Sequence, residues 1–248
     1  MRFEDKVVLV TGGTRGIGRA AALAFAAEGA RVVAVGRGGG QRTEEGGKSP
    51  VRYAYGDVSV AGDCQRLVSG TLERFGCLDV LVNCAGVIYR NRTVEATSEA
   101  EWDATFDVNV KGTFLMSKFA LPALRSARGC IVNVSSYVGL VGFAGASAYA
   151  ASKAAVLNLT RSMALDHAGE GVRVNAVCPD SVDTDMIHAA WQAYGDVAEA
   201  QRLWAAKHPL GRIATPEEVA AVIAFLASSE ASFITGIALP VDGGLTAG

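Results

Sequence analysis

Two residues with complementary proton chemistry stand four apart in Tyr149-Ala-Ala-Ser-Lys153. On a helix that spacing stacks both side chains on one face, so an ammonium lies beside a phenol. A free phenol titrates near pH 10, too high for proton shuttling at neutral pH, and an adjacent cation brings the phenolate closer to a useful range. The pair is a candidate general acid/base whose weight rests on its context, because such a spacing also arises by chance. A second motif, Thr11-Gly12-Gly13-Thr14-Arg15-Gly16-Ile17-Gly18, places glycines at 12, 16 and 18. They let the backbone turn tightly off a strand and let a pyrophosphate approach the free N–H groups of the following helix. The spacing is not the G-x-G-x-x-G of most dinucleotide dehydrogenases. It also lacks the Lys-Ser/Thr of a P-loop, which argues against an NTPase.

These residues need a scaffold. Strands are expected at Lys6–Val10, Arg31–Val35, Val51–Tyr55, Asp79–Val82, Cys130–Val134, Val172–Val177 and Ala238–Val241, with helices at 17–28, 61–75, 99–125, 149–168 and 216–228. Most of the strands are continuous apolar runs, the mark of parallel strands buried on both faces. Their alternation with helices predicts a doubly wound, Rossmann-type α/β fold with a seven-stranded parallel sheet, in one domain over 1–248. Ligands bind such sheets at the carboxyl ends of the strands. Ser136, ending Asn133-Val-Ser-Ser136, would there face the same crevice as the glycine motif. Asn109 lies in the helix before that strand. Taken singly, Ser136 reads as a strand-end cap and Asn109 as a helix-bending polar residue.

Composition narrows the function. Half of the 248 residues are hydrophobic and 19% are charged, enough for a sizeable core and against disorder. With 23 basic and 25 acidic residues the net charge is −2, which offers no footprint for nucleic acid or an anionic membrane. The apolar run Val219–Ala227 has about half the length of a spanning helix. The charged start of the chain is neither a secretory signal nor a transit peptide, so a cytoplasmic location is expected. Cys64, Cys77, Cys84, Cys130 and Cys178 form an odd set without a C-x-x-C pair, and His167, His188 and His208 show no ligand spacing. Neither a disulfide framework nor a metal site is expected.

The motifs together resemble the short-chain dehydrogenase/reductase family, in its compact single-domain branch, over essentially the whole chain. The matching stretches are Thr11 through Gly18, Asp57-Val58, Asn83-Cys-Ala-Gly86, Asn109, Ser136, Tyr149-x-x-x-Lys153, the Pro179 segment leading to Thr184, Thr235-Gly236 and Asp242-Gly243-Gly244. The resemblance implies that Tyr149 is the acid/base, that Ser136 holds the substrate oxygen, that Lys153 binds the nicotinamide ribose and tunes Tyr149, and that Asn109 anchors a relay water. It implies further that Gly12, Thr14, Arg15, Gly16, Ile17 and Gly18 bind the cofactor, that Asp57 and Val58 contact adenine, and that Asn83, Ala85 and Gly86 border the cofactor. Pro179, Val182 and Thr184 would meet the nicotinamide end. A homotetramer is the family's usual assembly, and the surplus of Leu, Phe, Met and Val in helices 99–125 and 149–168 gives a reason for one.

Two departures stand out. Asp180 occupies a position where the family usually has glycine; it is either a loop substitution pointing to solvent or a carboxylate that contacts substrate or favours the oxidised cofactor. The stretch Gly36 to Gly47 holds too many glycines for the second helix of a doubly wound fold, so a loop is expected there. Residues 181–209, with Met186, His188, Trp191, Tyr194, Trp204 and His208, form an expected helical insertion and substrate lid, whose aromatics either line a pocket or pack the insertion down. No acidic residue follows the second strand to accept a ribose hydroxyl. Arg37 and Arg15 are instead placed to clamp a 2′-phosphate, with glycines 38–40 freeing backbone N–H groups. The expectation is an NADP(H)-dependent oxidoreductase interconverting a ketone and a secondary alcohol. The alternatives are an NAD(H)-dependent alcohol or sugar dehydrogenase, a 3-oxoacyl carrier-protein reductase, or a dinucleotide-binding sensor without turnover.

Overall fold

The computed structural model describes residues 1–38 and 51–248. Its sheet runs β1 (Val7–Thr11), β2 (Arg31–Gly36), β3 (Val51–Tyr55), β4 (Val80–Asn83), β5 (Cys130–Val134), β6 (Arg173–Pro179) and β7 (Ala238–Val241). All pairings are parallel, in the order β3-β2-β1-β4-β5-β6-β7. The strands are apolar at successive positions because both faces are covered. Val8, Val10, Val32, Val80 and Val132 pack under α1 (Gly16–Ala27) and α8 (Pro216–Ala227). Val7, Leu9, Val33, Leu81 and Ile131 pack on the opposite face. There they meet α2 (Ala61–Phe75), α4 (Gly112–Ala127) and α5 (Ser147–His167). The period-two alternation thus splits one hydrophobic run between two cores.

The chain reverses its winding direction between β1 and β4, which leaves a crevice beyond their carboxyl ends. Thr11 and Asn83 are level across that pair. The Thr11 hydroxyl oxygen accepts from the Cys84 and Ala85 N–H groups at 3.0 and 3.2 Å, pinning the loop after β4.

Several boundaries depart from expectation. Most strands run one or two residues further at their carboxyl ends, so Thr11, Gly36, Asn83 and Pro179 belong to the sheet. The helix expected over 99–125 divides into α3 (Glu99–Phe106), a π-helical turn at Asp107–Lys111 and α4. The wide turn surrounds Asn109, whose carbonyl accepts from the Thr113 hydroxyl at 2.8 Å. Thr215 caps α8 through a capping box with Glu218. Residues 181–209 do hold helices, α6 (Asp185–Tyr194) and α7 (Val197–Ala206). From residue 39 onward, the loop expected at 36–47 lies outside the described residues, as do glycines 39 and 40.

Candidate active site

The glycine motif folds into a close backbone turn. Gly12 and Gly16 have φ of +64° and +51°, the left-handed region open to glycine. A Cβ on Gly18 would stand 2.3 Å from the Gly12 carbonyl oxygen, so the helix can leave the strand only if residue 18 has no side chain. Arg15 occupies the N-cap of α1 without a side-chain cap bond, whereas α3 and α8 close their first turns with capping boxes. The first turn of α1 therefore keeps N–H groups for an anion, at the positive end of the helix dipole.

A cleft of about 1260 Å³ starts at this turn. Gly12, Thr14, Arg15, Gly16, Ile17, Gly18, Arg37, Val58, Ala85, Gly86 and Thr184 line it, each expected from the sequence to meet a cofactor. Gly36 lines it too; a Cβ there would lie 2.5 Å from Thr14 Cγ2, so this glycine serves the packing of Thr14. Arg37 is 57% exposed, with its guanidinium 3.9 Å from the Asp57 carboxylate. Burial raises the Asp57 carboxyl, but the Ser59 hydroxyl and N–H and the Arg37 charge outweigh it and hold the group below its ordinary value.

Four other expected residues stand off the cleft. Asn83 is buried, with its amide donating to Ser117 Oγ and Asn133 Oδ1 at 3.1 and 2.9 Å. Pro179 is buried in the sheet, and its carbonyl accepts from Ser136 Oγ at 3.3 Å. Val182 is bridged to Ala214. Asp57 reaches the cleft only through Arg37.

Ser136, Tyr149 and Lys153 are grouped next to this cleft without lining it, Lys153 behind Gly86. The Lys153 Nζ lies 3.5 Å from the place of a Cβ on Gly86, so a side chain at 86 would come between the cleft and the ammonium. That ammonium donates to the Val134 carbonyl at 2.9 Å and sits 5.5 Å from the Tyr149 ring centroid. Burial pushes Lys153 down to about 8. Burial likewise pushes the Tyr149 phenol up to about 12, opposed by the Ser136 hydroxyl and the Arg90 guanidinium. In the cofactor-free protein desolvation thus outweighs the groups that favour the phenolate, of which Ser136 and Arg90 are the largest.

Asn109 ties the site together. Its side chain accepts from the Val87 N–H at 2.9 Å and donates to the Val87 carbonyl and to Ser152 Oγ, both at 3.0 Å. Ser152 Oγ donates on to the Tyr149 carbonyl at 2.7 Å. The loop after β4 is thus locked to the first turn of α5.

Two features that the sequence left open are placed by the structure, and one further residue was not singled out by it. Asp180 does not point to solvent: its side chain is 8% exposed, and Oδ2 lies 2.7 Å from Nε2 of buried His208, off the line of a well-formed hydrogen bond. Burial raises the Asp180 carboxyl, with His208 pulling it down. Arg90, on the loop after β4, lines the cleft and was not singled out by any motif. Of the lid aromatics, Trp191 packs among Ile187, Ala190 and Ala200, while Tyr194 and Trp204 line the cleft.

Comparison with known proteins decides the family. The family described as enoyl-(acyl carrier protein) reductase matches residues 12–246. Meso-2,3-butanediol dehydrogenase of Serratia marcescens is 45% identical over 100% of this chain and 97% of its own length. The 3-oxoacyl-[acyl-carrier-protein] reductase of Thermotoga maritima is 40% identical, over 99% of both. The chain belongs to the short-chain dehydrogenase/reductase family. Among solved structures, ligand-free aldohexose dehydrogenase of Thermoplasma acidophilum superposes with a TM-score of 0.91 at 39% identity, covering 99% of this chain and 96% of the other. As a member, this chain is an oxidoreductase acting on CH–OH groups with an NAD(P) cofactor. The uncapped α1 terminus, the glycine turn and the cleft running to Lys153 fit such a dinucleotide. Among the described residues, no cluster of His, Cys, Asp or Glu could hold a metal ion, and no helix is long and apolar enough to cross a membrane.

Proposed function

We propose that this short-chain dehydrogenase/reductase interconverts a secondary alcohol and a ketone with NADP(H), using Tyr149 as general acid/base. The observation that carries the mechanism is the placement of Tyr149 and Lys153 on the first turns of α5, beside Ser136 and behind Gly86. When bound, the nicotinamide supplies the hydride donor or acceptor. The chain's residues do the rest. Ser136 Oγ holds the substrate oxygen, and Tyr149 gives that oxygen a proton in reduction or takes one in oxidation. Lys153 holds the nicotinamide ribose and, by its charge, steadies the phenolate once the site is filled. The Asn109 side chain is committed to Val87 and Ser152, so its part in a relay water falls to the backbone of the π-helical turn.

In the same reading Gly12, Thr14, Gly16, Ile17 and Gly18 cradle the pyrophosphate, Asp57 and Val58 border adenine, and Asn83, Ala85 and Gly86 frame the ribose side. Pro179, Val182 and Thr184 shape the nicotinamide end. Residues 181–209 close over substrate, with Met186, Tyr194 and Trp204 on the cleft wall. Exposed Trp102, Phe114 and Leu165 support assembly as a homotetramer, which light scattering at micromolar concentration tests by mass. A cytoplasmic enzyme is the fitting setting.

NADP(H) is favoured by Arg15, Arg37 and Gly38 around one end of the cleft and by Gly36 where an acidic residue would repel a phosphate. The contact of Arg37 with Asp57 favours the second reading, an NAD(H)-dependent alcohol or sugar dehydrogenase, by diverting the guanidinium. Reduced-cofactor absorbance over a panel of ketones and alcohols tests both. The kcat/KM should favour NADP(H), and Arg37→Asp should shift preference to NAD(H). A wild-type preference for NAD(H) rejects the first reading, and no turnover with either cofactor rejects both in favour of a sensor.

A further inference from the structure

The activity above names no substrate class, and one cation in the cleft bears on it. Arg90 is half-buried on the cleft wall. Among the described residues, its guanidinium makes no hydrogen bond or ion pair. Its neighbour Arg92 is bound to Glu101 at 2.8 Å, and Arg2, Arg66, Arg125, Arg202 and Arg212 each hold a carboxylate. A guanidinium cannot shed its proton, so a partly desolvated and unpaired one is costly until an anion meets it. The charged and titratable groups facing Arg90 are Tyr149, Tyr137 and Asp180. The carboxylate among them already lies against His208.

The position of Arg90 is held by backbone. Arg92 N–H donates to the Gly145 carbonyl at 2.8 Å, and Ser147 N–H donates back to the Arg92 carbonyl at 3.4 Å. This bridge joins the loop carrying Arg90 to the start of the helix carrying Tyr149, which fixes the separation of cation and phenol. Apolar Val87, Phe143, Ala189 and Ala193 line the same cleft, which also holds Asp185 and Lys207, the latter with its ammonium 4.6 Å from the Trp204 ring centroid. One unpaired planar fork suits one carboxylate, which accepts two parallel bonds; a phosphate dianion would bring a second negative charge toward Asp180.

We propose that Arg90 anchors a carboxylate on the substrate, so that the enzyme acts on a hydroxy acid and its oxo acid, with the reacting oxygen at Tyr149 and Ser136. The proposal rests on the oxidoreductase reading for the reacting end of the molecule. Its test needs only binding. The full-length protein, saturated with the oxidised dinucleotide it binds more tightly, is titrated calorimetrically with cyclohexanecarboxylate and with neutral cyclohexanecarboxamide at pH 7. The carboxylate should bind at least about tenfold more tightly. Arg90→Met should bring the two within about twofold of each other, with cofactor affinity unchanged as the check on folding. Arg90→Lys should restore part of the preference. A wild-type protein that does not distinguish the probes, binding both or neither, overturns the proposal, as does a preference that survives Arg90→Met. A carboxylate preference in a protein that turns over no alcohol or ketone would sink the proposed activity and leave the anion site standing.

Discussion

At the glycine end of the cleft the walls are backbone, and at the Arg90 end they are side chains. A Cβ on Gly18 would strike the Gly12 carbonyl, and one on Gly13 would sit 2.8 Å from Ala34 Cβ. Nothing larger than glycine fits at either position, so the sequence there has little freedom. The other end is walled by Arg90, Phe143, Met186, Tyr194 and Trp204, drawn from the loop after β4, the approach to α5 and the helices α6 and α7. Any of these can change without moving the sheet. The rigid end suits a ligand that never varies, and the side-chain end suits the part that differs between enzymes built on one fold.

The proposed mechanism puts the chemistry at the join of these regions, and the largest effect should come from breaking it there. Tyr149→Phe should lower kcat by about 10²–10⁴-fold while leaving cofactor affinity intact, because only the proton-transferring hydroxyl is removed. Steady-state kinetics beside a cofactor titration checks this, and full turnover in the variant would remove Tyr149 from the mechanism.

Lys153 gives the next largest effect, on stability. Burial takes its ammonium from 10.5 down to about 8, so between those values the unfolded chain holds a proton that the folded protein has released. Stability from this group therefore rises with pH across that window and is lost as pH falls through 8. In cofactor-free protein, the unfolding free energy of wild type should gain about 2–3 kcal/mol on Lys153→Met between pH 7 and pH 10. Parallel urea titrations that show a constant difference would mean that the ammonium is solvated.

Gly18→Ala sharpens the contrast from the backbone side. The methyl has no side chain to displace, only the Gly12 peptide, so the variant should lose about 1–3 kcal/mol of stability together with cofactor affinity. Phe143→Ala, by contrast, should leave cofactor affinity unchanged. Equal loss in both variants would show that the two ends of the cleft are not separable.

The same contrast explains what the sequence made legible. Glycines with steric causes, a Tyr and a Lys one helical turn apart and uninterrupted apolar strands are local signals, and the structure places the glycines at the strand-to-helix turn, the pair on α5 and the strands in the sheet. The π-helical turn at Asn109 is not local. It reflects how α4 closes on the β3–α2 loop, where a Cβ on Gly112 would lie 2.7 Å from Val58 Cγ2. Arg90 carries no motif, and its character comes from what fails to meet it in three dimensions. Asp180 and His208 are 28 positions apart in sequence and share no pattern, so only the return of α7 toward the end of β6 brings them together.

That pair supplies the smallest and most discriminating test. Asp180 is one of the charges facing Tyr149, and its negative charge opposes formation of the phenolate. Asparagine keeps the size and a polar contact to His208 while removing the charge. Asp180→Asn should therefore move the alkaline rise of alcohol oxidation to lower pH and raise oxidation at pH 8 by roughly two- to threefold, the scale of one screened charge several ångströms away. Ketone reduction should fall in step, since the same phenol then gives up its proton less readily. The readout is the pH profile of kcat/KM in both directions. An unchanged profile would mean that Asp180 is neutral when folded and serves only to hold His208 and the end of α7, whereas opposite shifts in the two directions place its charge in the electrostatics of the tyrosine.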